Sequence, residues 1–256
     1  MDKVIDIILM SGLGLLMGSF MNVVVFRVPL GIKETSAPLG NIAWPGSCCP
    51  QCMHPIRYRD NIPLFSWLWL RGRCRDCLTP ISVRYPLTEV ICGLVFALIA
   101  GVFPLIPDAL AICLLFWFLF ALAQIDAQHF LLPDKLTLPL LWLGLLYHCL
   151  FMRMDLRDAV YGAIAGYLAL WLVYQTFRGL TGKEGMGFGD FKLLAALGAW
   201  GGWQALPSVL LLSSVFGLIY ALGRRVFIGD KQPHIAFGPW LSLAGWLNFL
   251  WQNWNG

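Results

Sequence analysis

Four cysteines stand in two CxxC pairs, a spacing typical of a metal site. Cys49 and Cys52 form the first pair, and Cys74 and Cys77 form the second after 21 intervening residues. Two such pairs supply the four thiolates of a tetrahedral zinc site, at a separation slightly above the usual range of about 15–20 residues. Because four thiolates fill the coordination sphere, we expect a structural metal. A redox-active CxxC pair and unliganded thiols are the alternatives.

The remaining cysteines have weaker claims to a metal. Cys48 adjoins Cys49 and adds a thiol that could compete for the ion, but the doubled CxxC pattern favours Cys49. Cys92, Cys113 and Cys149 lie in apolar runs, where cysteine behaves as a small buried hydrophobic residue.

Two aspartates at the ends of apolar runs are candidates for catalysis. Asp126 ends one run within AQIDAQHFLLPDKLT, and Asp190 begins another within GMGFGDFK. Ionisable groups at membrane depth are costly and mark functional sites. Two close carboxylates share a proton, so one can act as base on a water while the other acts as acid on a substrate carbonyl. The alternatives are a helix N-cap for Asp190 and an interfacial loop acid for Asp126.

The surroundings of Asp190 favour it as the ionised member of this pair. A glycine-rich turn precedes it, so Asp190 begins a helix whose positive dipole end stabilises an anion. Lys192 nearby would act in the same direction. Asp134 is expected to be structural. A structural role is also favoured for Glu89 and His129, with polar partners at the membrane boundary as the alternative.

The composition indicates the elements that must position these residues. Of the 256 residues, 59% are hydrophobic and only 12% are charged, and the mean hydropathy is +0.71. Soluble domains carry about 45–50% apolar and 25% charged residues. This excludes a typical soluble enzyme, a disordered chain and a secreted disulfide miniprotein, and predicts an all-α polytopic membrane protein. Asp2 and Asp6 argue against a cleavable signal peptide at the N-terminus.

A membrane-spanning helix needs about 20 mostly apolar residues, and about eight segments qualify. An uncharged run from Leu193 to Gly223 is too long for one crossing and is divided at the WGGWQALP turn; seven spans is the alternative. The predicted spans are Val4–Phe26, Pro86–Ile106, Ala109–Ile125, Leu136–Met152, Ala159–Phe177, Gly189–Trp200, Pro207–Gly223 and a last one from Ile235 to about Leu250.

These spans divide the chain into three parts. Residues 1–26 form the first transmembrane helix, residues 27–85 form a polar insert that holds both CxxC pairs, and residues 86–256 form a membrane-embedded domain of about seven helices with both aspartates. An insert of about 60 residues is too small for a secure hydrophobic core without a staple. A bound zinc would supply one, since metal binding contributes directly to folding.

The distribution of basic residues predicts the orientation. With eight spans, 15 of the 18 Lys and Arg residues lie on one side of the membrane, which identifies that side as cytoplasmic. This puts the cysteine insert in the cytoplasm, where structural disulfides are rare, and brings Asp126 and Asp190 to the cytoplasmic boundary at one depth. The basic residues are thus topology determinants, and no nucleic-acid partner is expected.

Several motifs occur in order along nearly the whole chain. They are GSFMNVVVFRVP (18–29), the paired CxxC motifs, RYPLTE (84–89), Asp126 in an IDxxxxxLPD-like pattern, GMGFGDFK (185–192) and IAFGPWL (235–241). In these motifs the chain resembles the type IV prepilin peptidases, which are bifunctional leader peptidase/N-methyltransferases among the membrane aspartic proteases with a GxGD motif.

The resemblance implies a multi-pass enzyme of the bacterial inner membrane. Such enzymes cleave the basic leader of prepilins or type II secretion pseudopilins at the cytoplasmic face, then methylate the new N-terminal residue with S-adenosylmethionine. By motif position the catalytic acids are Asp126 and Asp190, and the family cysteines are Cys49, Cys52, Cys74 and Cys77. The partners implied are substrate helices and membrane lipid. No GxGxxG fingerprint is present, so the cofactor site is not assigned.

Two other classes of protein remain open from the residues. A transporter or assembly scaffold could relay protons through its acids and dock a partner on a zinc knuckle, although relay acids are expected deeper in the bilayer. A membrane thiol–disulfide enzyme would need its cysteines on the oxidising side, whereas the charge distribution places them inside.

Overall fold

The computed structural model describes residues 2–33, 40–44, 46–104, 107–183, 186–228 and 235–255. These residues form helices and connecting turns and contain no β-strand. Gly185, the first residue of the GMGFGDFK motif, and Lys231, one of the basic residues used for orientation, lie outside the described ranges.

Nine α-helices account for most of the described chain. Eight of them are long and correspond one to one with the eight predicted spans; the ninth, α2, is a short helix in the insert. The helices are α1 (Asp2–Lys33), α2 (Phe65–Trp69), α3 (Arg84–Val102), α4 (Pro107–His129), α5 (Asp134–Phe151), α6 (Leu156–Thr181), α7 (Phe188–Gly201), α8 (Leu206–Gly223) and α9 (Gly238–Asn255).

Five helical segments among the described residues are long and apolar enough to cross a membrane. They include α1, α3, α4, α6 and the segment Trp203–Phe227, which contains α8. The prediction of an all-α polytopic membrane protein is therefore confirmed. The count of eight crossings stays a prediction.

The chain divides into two compact units, Met1–Trp117 and Phe118–Gly256. In the first unit, α1 and α3 pack closely together. Gly18 lies at this contact, where a Cβ atom would come within 2.7 Å of the Glu89 Cα. The absence of a side chain at Gly18 thus lets the backbones of α1 and α3 approach closely.

The second unit is built around α7, which is buried at Phe191 and from Leu193 to Gly201 and packs on α5, α6 and α9. Gly162 of α6 lies so close to α7 that an added Cβ would be 2.2 Å from the Gly198 carbonyl oxygen. With 14 residues, α7 is about 21 Å long at 1.5 Å per residue. It is thus shorter than the bilayer core of about 30 Å.

The C-terminal end of α7 is anchored by Trp200. Its indole N–H donates to the Leu140 carbonyl at 2.8 Å, and its own carbonyl oxygen is 2.9 Å from Nε2 of His148. The rings of Tyr147 and Phe249 pack on the indole. Because these contacts hold one end of the helix, they also fix where its other end places Asp190.

Candidate active site

Asp126 lies in the last turn of α4, where its side chain is only 6% exposed. Its Oδ2 accepts a 2.9 Å hydrogen bond from the backbone N–H of Gly238. Gly238 is the first residue of α9, and the first N–H groups of a helix have no partner inside it. The carboxylate therefore occupies the positive end of α9, where a negative charge is favoured.

Glycine is the residue that this contact accommodates. A Cβ atom on Gly238 would lie 2.6 Å from Oδ2 and 3.0 Å from Cγ of Asp126, closer than van der Waals contact permits. The IAFGPWL motif does not by itself indicate this role of Gly238. The signal was a Gly-Pro pair at the start of the last apolar run, which predicts a helix start but not its distant partner.

Asp190 lies in the first turn of α7 and is half-buried. Its carboxyl group lies within electrostatic range of Asp126, so the two predicted acids are in the same region of the second unit. Among the described residues, Lys192 pairs with Asp134 instead of supporting Asp190: its Nζ lies 2.6 and 2.8 Å from the two Asp134 carboxylate oxygens. The expectation that Lys192 stabilises an Asp190 anion is therefore wrong.

The chain that follows Asp126 packs on the turn that precedes Asp190. After α4 ends, Phe130 adopts a left-handed backbone conformation with φ of 52°. Leu132 then meets Gly189, on which a Cβ would lie 2.7 Å from the Leu132 Cβ. The second glycine of the GxGD motif therefore allows the close approach of these segments. At Gly187 a Cβ would lie 4.0 Å from Oδ2 of Asp190, which among the described residues is an ordinary van der Waals distance.

The four predicted metal ligands come together in the insert. The sulfur atoms of Cys49, Cys52, Cys74 and Cys77 all lie within 4.8 Å of one another, and Cys49 Sγ is 3.8 Å from Cys77 Sγ. Zinc–sulfur bonds of about 2.3 Å in a tetrahedron place the sulfurs about 3.8 Å apart. The donor set therefore fits a zinc ion, and Cys48 is not part of the group.

The two CxxC turns have the same backbone geometry. The N–H of Cys49 donates to the carbonyl of His54, and the N–H of Cys74 donates to that of Thr79, each five residues on. The residue after each second cysteine, Met53 or Leu78, has a φ of 58°. The two turns therefore have equivalent geometry, and each supplies one pair of sulfur ligands to the same site.

Thr79 contacts the thiol group of Cys77. Oγ1 of Thr79 lies 3.2 Å from its Sγ in hydrogen-bond contact. This contact, together with a hydrogen bond from the Thr79 backbone N–H, lowers the pKa of Cys77 to about 6. A metal ligand must be deprotonated, so Thr79 favours the binding form of this cysteine.

Comparison with known proteins agrees with this architecture. Residues 13–103 match the model of the bacterial peptidase A24 N-terminal domain, and residues 113–222 match that of the type IV leader peptidase family. No solved structure gives a significant match.

Curated relatives match over nearly their whole length. The chain is 51% identical to a prepilin leader peptidase/N-methyltransferase of Aeromonas hydrophila, over 93% of this chain and 88% of the relative. It is 49% identical to the protein of that name from Stutzerimonas stutzeri and 48% identical to that from Pseudomonas aeruginosa, with the same coverage. The chain therefore belongs to the type IV leader peptidase family.

Proposed function

We propose that this protein cleaves the basic leader peptide of type IV prepilins or type II secretion pseudopilins and then methylates the new N-terminal residue. The observation that carries the proposal is that Asp126, in the last turn of α4, lies within electrostatic range of Asp190, in the first turn of α7. The names of the curated relatives support both activities. They do not favour a transporter or scaffold.

In the proposed reaction, Asp126 is the ionised member of the pair and acts as the base. The N–H of Gly238 donates to its Oδ2, and a hydrogen bond to the charged form of a carboxyl group favours that form. This reverses the expectation from sequence, which favoured an ionised Asp190. The difference arises because the start of α9 and its partner are far apart in the chain.

Asp190 then holds the shared proton. Asp126 removes a proton from a water molecule, which attacks the carbonyl carbon of the scissile peptide, while Asp190 donates its proton to the carbonyl oxygen. The tetrahedral intermediate collapses when Asp126 gives the proton taken from water to the amide nitrogen, which leaves as the new N-terminus. Asp190 regains its proton from a hydroxyl group of the intermediate. This division of labour follows from two carboxyl groups that share a single proton.

We place the reaction at the cytoplasmic face of the bacterial inner membrane, with the cysteine insert on the same side. The excess of Lys and Arg on one side of the predicted spans supports this orientation. Cys49, Cys52, Cys74 and Cys77 would hold a zinc ion that stabilises the insert. The methyl donor would be S-adenosylmethionine.

Mass spectrometry of a co-expressed prepilin tests both activities. Wild-type enzyme should give a shortened pilin with one added methyl group, and Asp190→Asn should leave the precursor uncut. Asp155→Asn is the matched control, because this aspartate caps α6 through the Arg157 N–H and lies at the opposite end of that helix from the α6–α7 connection. Cleavage by Asp190→Asn would contradict the aspartate mechanism, and an unmethylated product from wild type would contradict the second activity.

A further inference from the structure

The first unit contains a cavity of about 410 Å³ that the aspartate pair does not use. It lies among the C-terminal half of α1, the insert and the first turns of α3. Sites for small molecules and cofactors are commonly about 300–1,000 Å³, with apolar walls and a few convergent polar groups. The size of this cavity is therefore that of a cofactor site.

Glu89 supplies a buried negative charge to this cavity. Its side chain lines the cavity and is only 8% exposed. Its Oε2 accepts a 2.8 Å hydrogen bond from the backbone N–H of Leu64. No basic side chain in the described part of the chain forms an ion pair with it. A buried carboxylate without a cation is costly, so this position suits a positively charged ligand.

Five other charged side chains line the cavity, which are Arg27, Arg57, Asp60, Arg75 and Asp76. Arg27 donates to the carbonyl oxygens of Asn41 and Gly46 at 3.0 and 2.9 Å. Asp60 forms a two-point ion pair with Arg75, with distances of 2.6 and 2.7 Å. Asp60 and Arg75 therefore neutralise each other, whereas Glu89 accepts its hydrogen bond from an uncharged backbone group.

Aromatic side chains complete the cavity. Trp67, Tyr85 and Phe26 line it, and the Trp67 indole is held in place by its N–H, which donates to the Ile81 carbonyl at 3.3 Å. Flat aromatic faces accept a stacked heterocycle, and they also attract a cation placed over the ring. The walls thus suit a ligand with both a planar base and a positive charge.

We propose that this cavity binds S-adenosylmethionine, with Glu89 facing the cationic end of the cofactor and the aromatic side chains holding its adenosine. The inference rests on the proposed methyltransferase activity and assigns its cofactor site. In the transfer, the free amine of the cleaved substrate forms a bond to the methyl carbon. The carbon–sulfur bond breaks with its electron pair on sulfur, which neutralises the sulfonium, and the amine loses its extra proton to water.

Binding of S-adenosylmethionine to the purified full-length protein in detergent tests the site. Glu89→Gln keeps an oxygen that can accept the Leu64 hydrogen bond but removes the charge. We expect it to weaken binding at least about tenfold, equivalent to 1.4 kcal/mol, and to lower the fraction of cleaved pilin that carries a methyl group. Asp6→Asn, an acid-to-amide change on α1 outside the cavity, should bind like wild type. Thermal melting identifies variants that have failed to fold.

Ultraviolet cross-linking of labelled S-adenosylmethionine gives a second readout that needs no variant. Label on peptides from residues 60–89 supports the site. Label confined to residues 118–256, or equal binding by wild type and a folded Glu89→Gln, would overturn this site while leaving the proposed methylation intact. If the wild-type protein neither binds the cofactor nor methylates the pilin, both the proposed methyltransferase activity and the proposed cofactor site are wrong.

Discussion

The backbone N–H of Gly238 donates a 2.9 Å hydrogen bond to Oδ2 of Asp126, across 112 residues of sequence. The bond joins the first turn of α9 to the last turn of α4. It fixes the orientation of the carboxylate through Oδ2 and does not involve Oδ1. We regard Gly238 as a positioning residue for the base.

Replacement of Gly238 by alanine should reduce cleavage about 10- to 100-fold. The new Cβ would lie 2.6 Å from Oδ2 of Asp126, so the carboxylate must move and its hydrogen bond is lost. A hydrogen bond to a charged group contributes about 1.5–3 kcal/mol. The measurement is the rate of prepilin cleavage by purified enzyme, with folding checked by thermal melting.

Gly179→Ala is the control for this change. Gly179 lies in α6 with no atom within 4 Å of an added Cβ, so alanine there should leave cleavage unchanged. A folded Gly238→Ala enzyme with the pH profile and rate of wild type would show that the contact does not serve catalysis.

Asp126→Asn and Asp190→Asn should each lower cleavage by at least about 1,000-fold, and the double variant should be no worse. Residues that act as one unit have non-additive effects, because removing either abolishes the shared function. Single-turnover cleavage assays on the three variants measure this. If the two losses multiply in the double variant, the acids act independently and the pair model is wrong.

The helices could be predicted from the sequence because each apolar run is long enough to identify its own span. The residues at which the helices end could not be predicted in this way. The first span was expected to end at Phe26, before Arg27, but α1 continues to Lys33. Arg27 is only 5% exposed and donates to the carbonyls of Asn41 and Gly46. A charge that finds such partners does not end a helix, and those partners are not recognisable from sequence.

Gly189 and Gly187 should respond differently to alanine. At Gly189 a Cβ would meet the Leu132 Cβ at 2.7 Å, whereas at Gly187 the nearest atoms are 4.0 Å away. Gly189→Ala should therefore lower both the melting temperature and cleavage, because the chain after Asp126 is pushed off the start of α7. Gly187→Ala should keep the wild-type melting temperature. The reverse order of stabilities would contradict the assigned contact.

The candidate site, like the fold, could be predicted only in part from the sequence. Asp126, Asp190 and the four cysteines could be selected from sequence because their residue types and spacing carry the chemistry. Gly238 and the Lys192–Asp134 pair could not, because each is a contact between distant segments. Lys192 is only two residues from Asp190, yet the direction of its side chain is set by α5.

Lys192→Met and Asp134→Asn should each have small effects. Their ion pair is partly exposed, and such pairs contribute about 0.2–1 kcal/mol. We expect cleavage within about threefold of wild type for each variant, and a double variant no less stable than the singles, measured by a double-mutant cycle of thermal unfolding. If Lys192→Met lost as much cleavage activity as Asp190→Asn, Lys192 would act directly on Asp190, contrary to the pairing with Asp134.

The zinc hypothesis predicts that replacing Cys52 and replacing Cys48 affect the metal content differently. Cys52→Ser should remove one of the four sulfurs that lie within 4.8 Å of one another, lower the metal content of the purified protein and expose the insert to proteolysis. Methylation should fall more than cleavage, because the proposed cofactor cavity has the insert as one wall.

Cys48→Ser is the matched control: it changes a neighbouring thiol outside the four-sulfur group and should retain the metal. Metal analysis by mass spectrometry separates the outcomes, since a metal-free wild type or equal metal loss in both variants would contradict a Cys49, Cys52, Cys74 and Cys77 site.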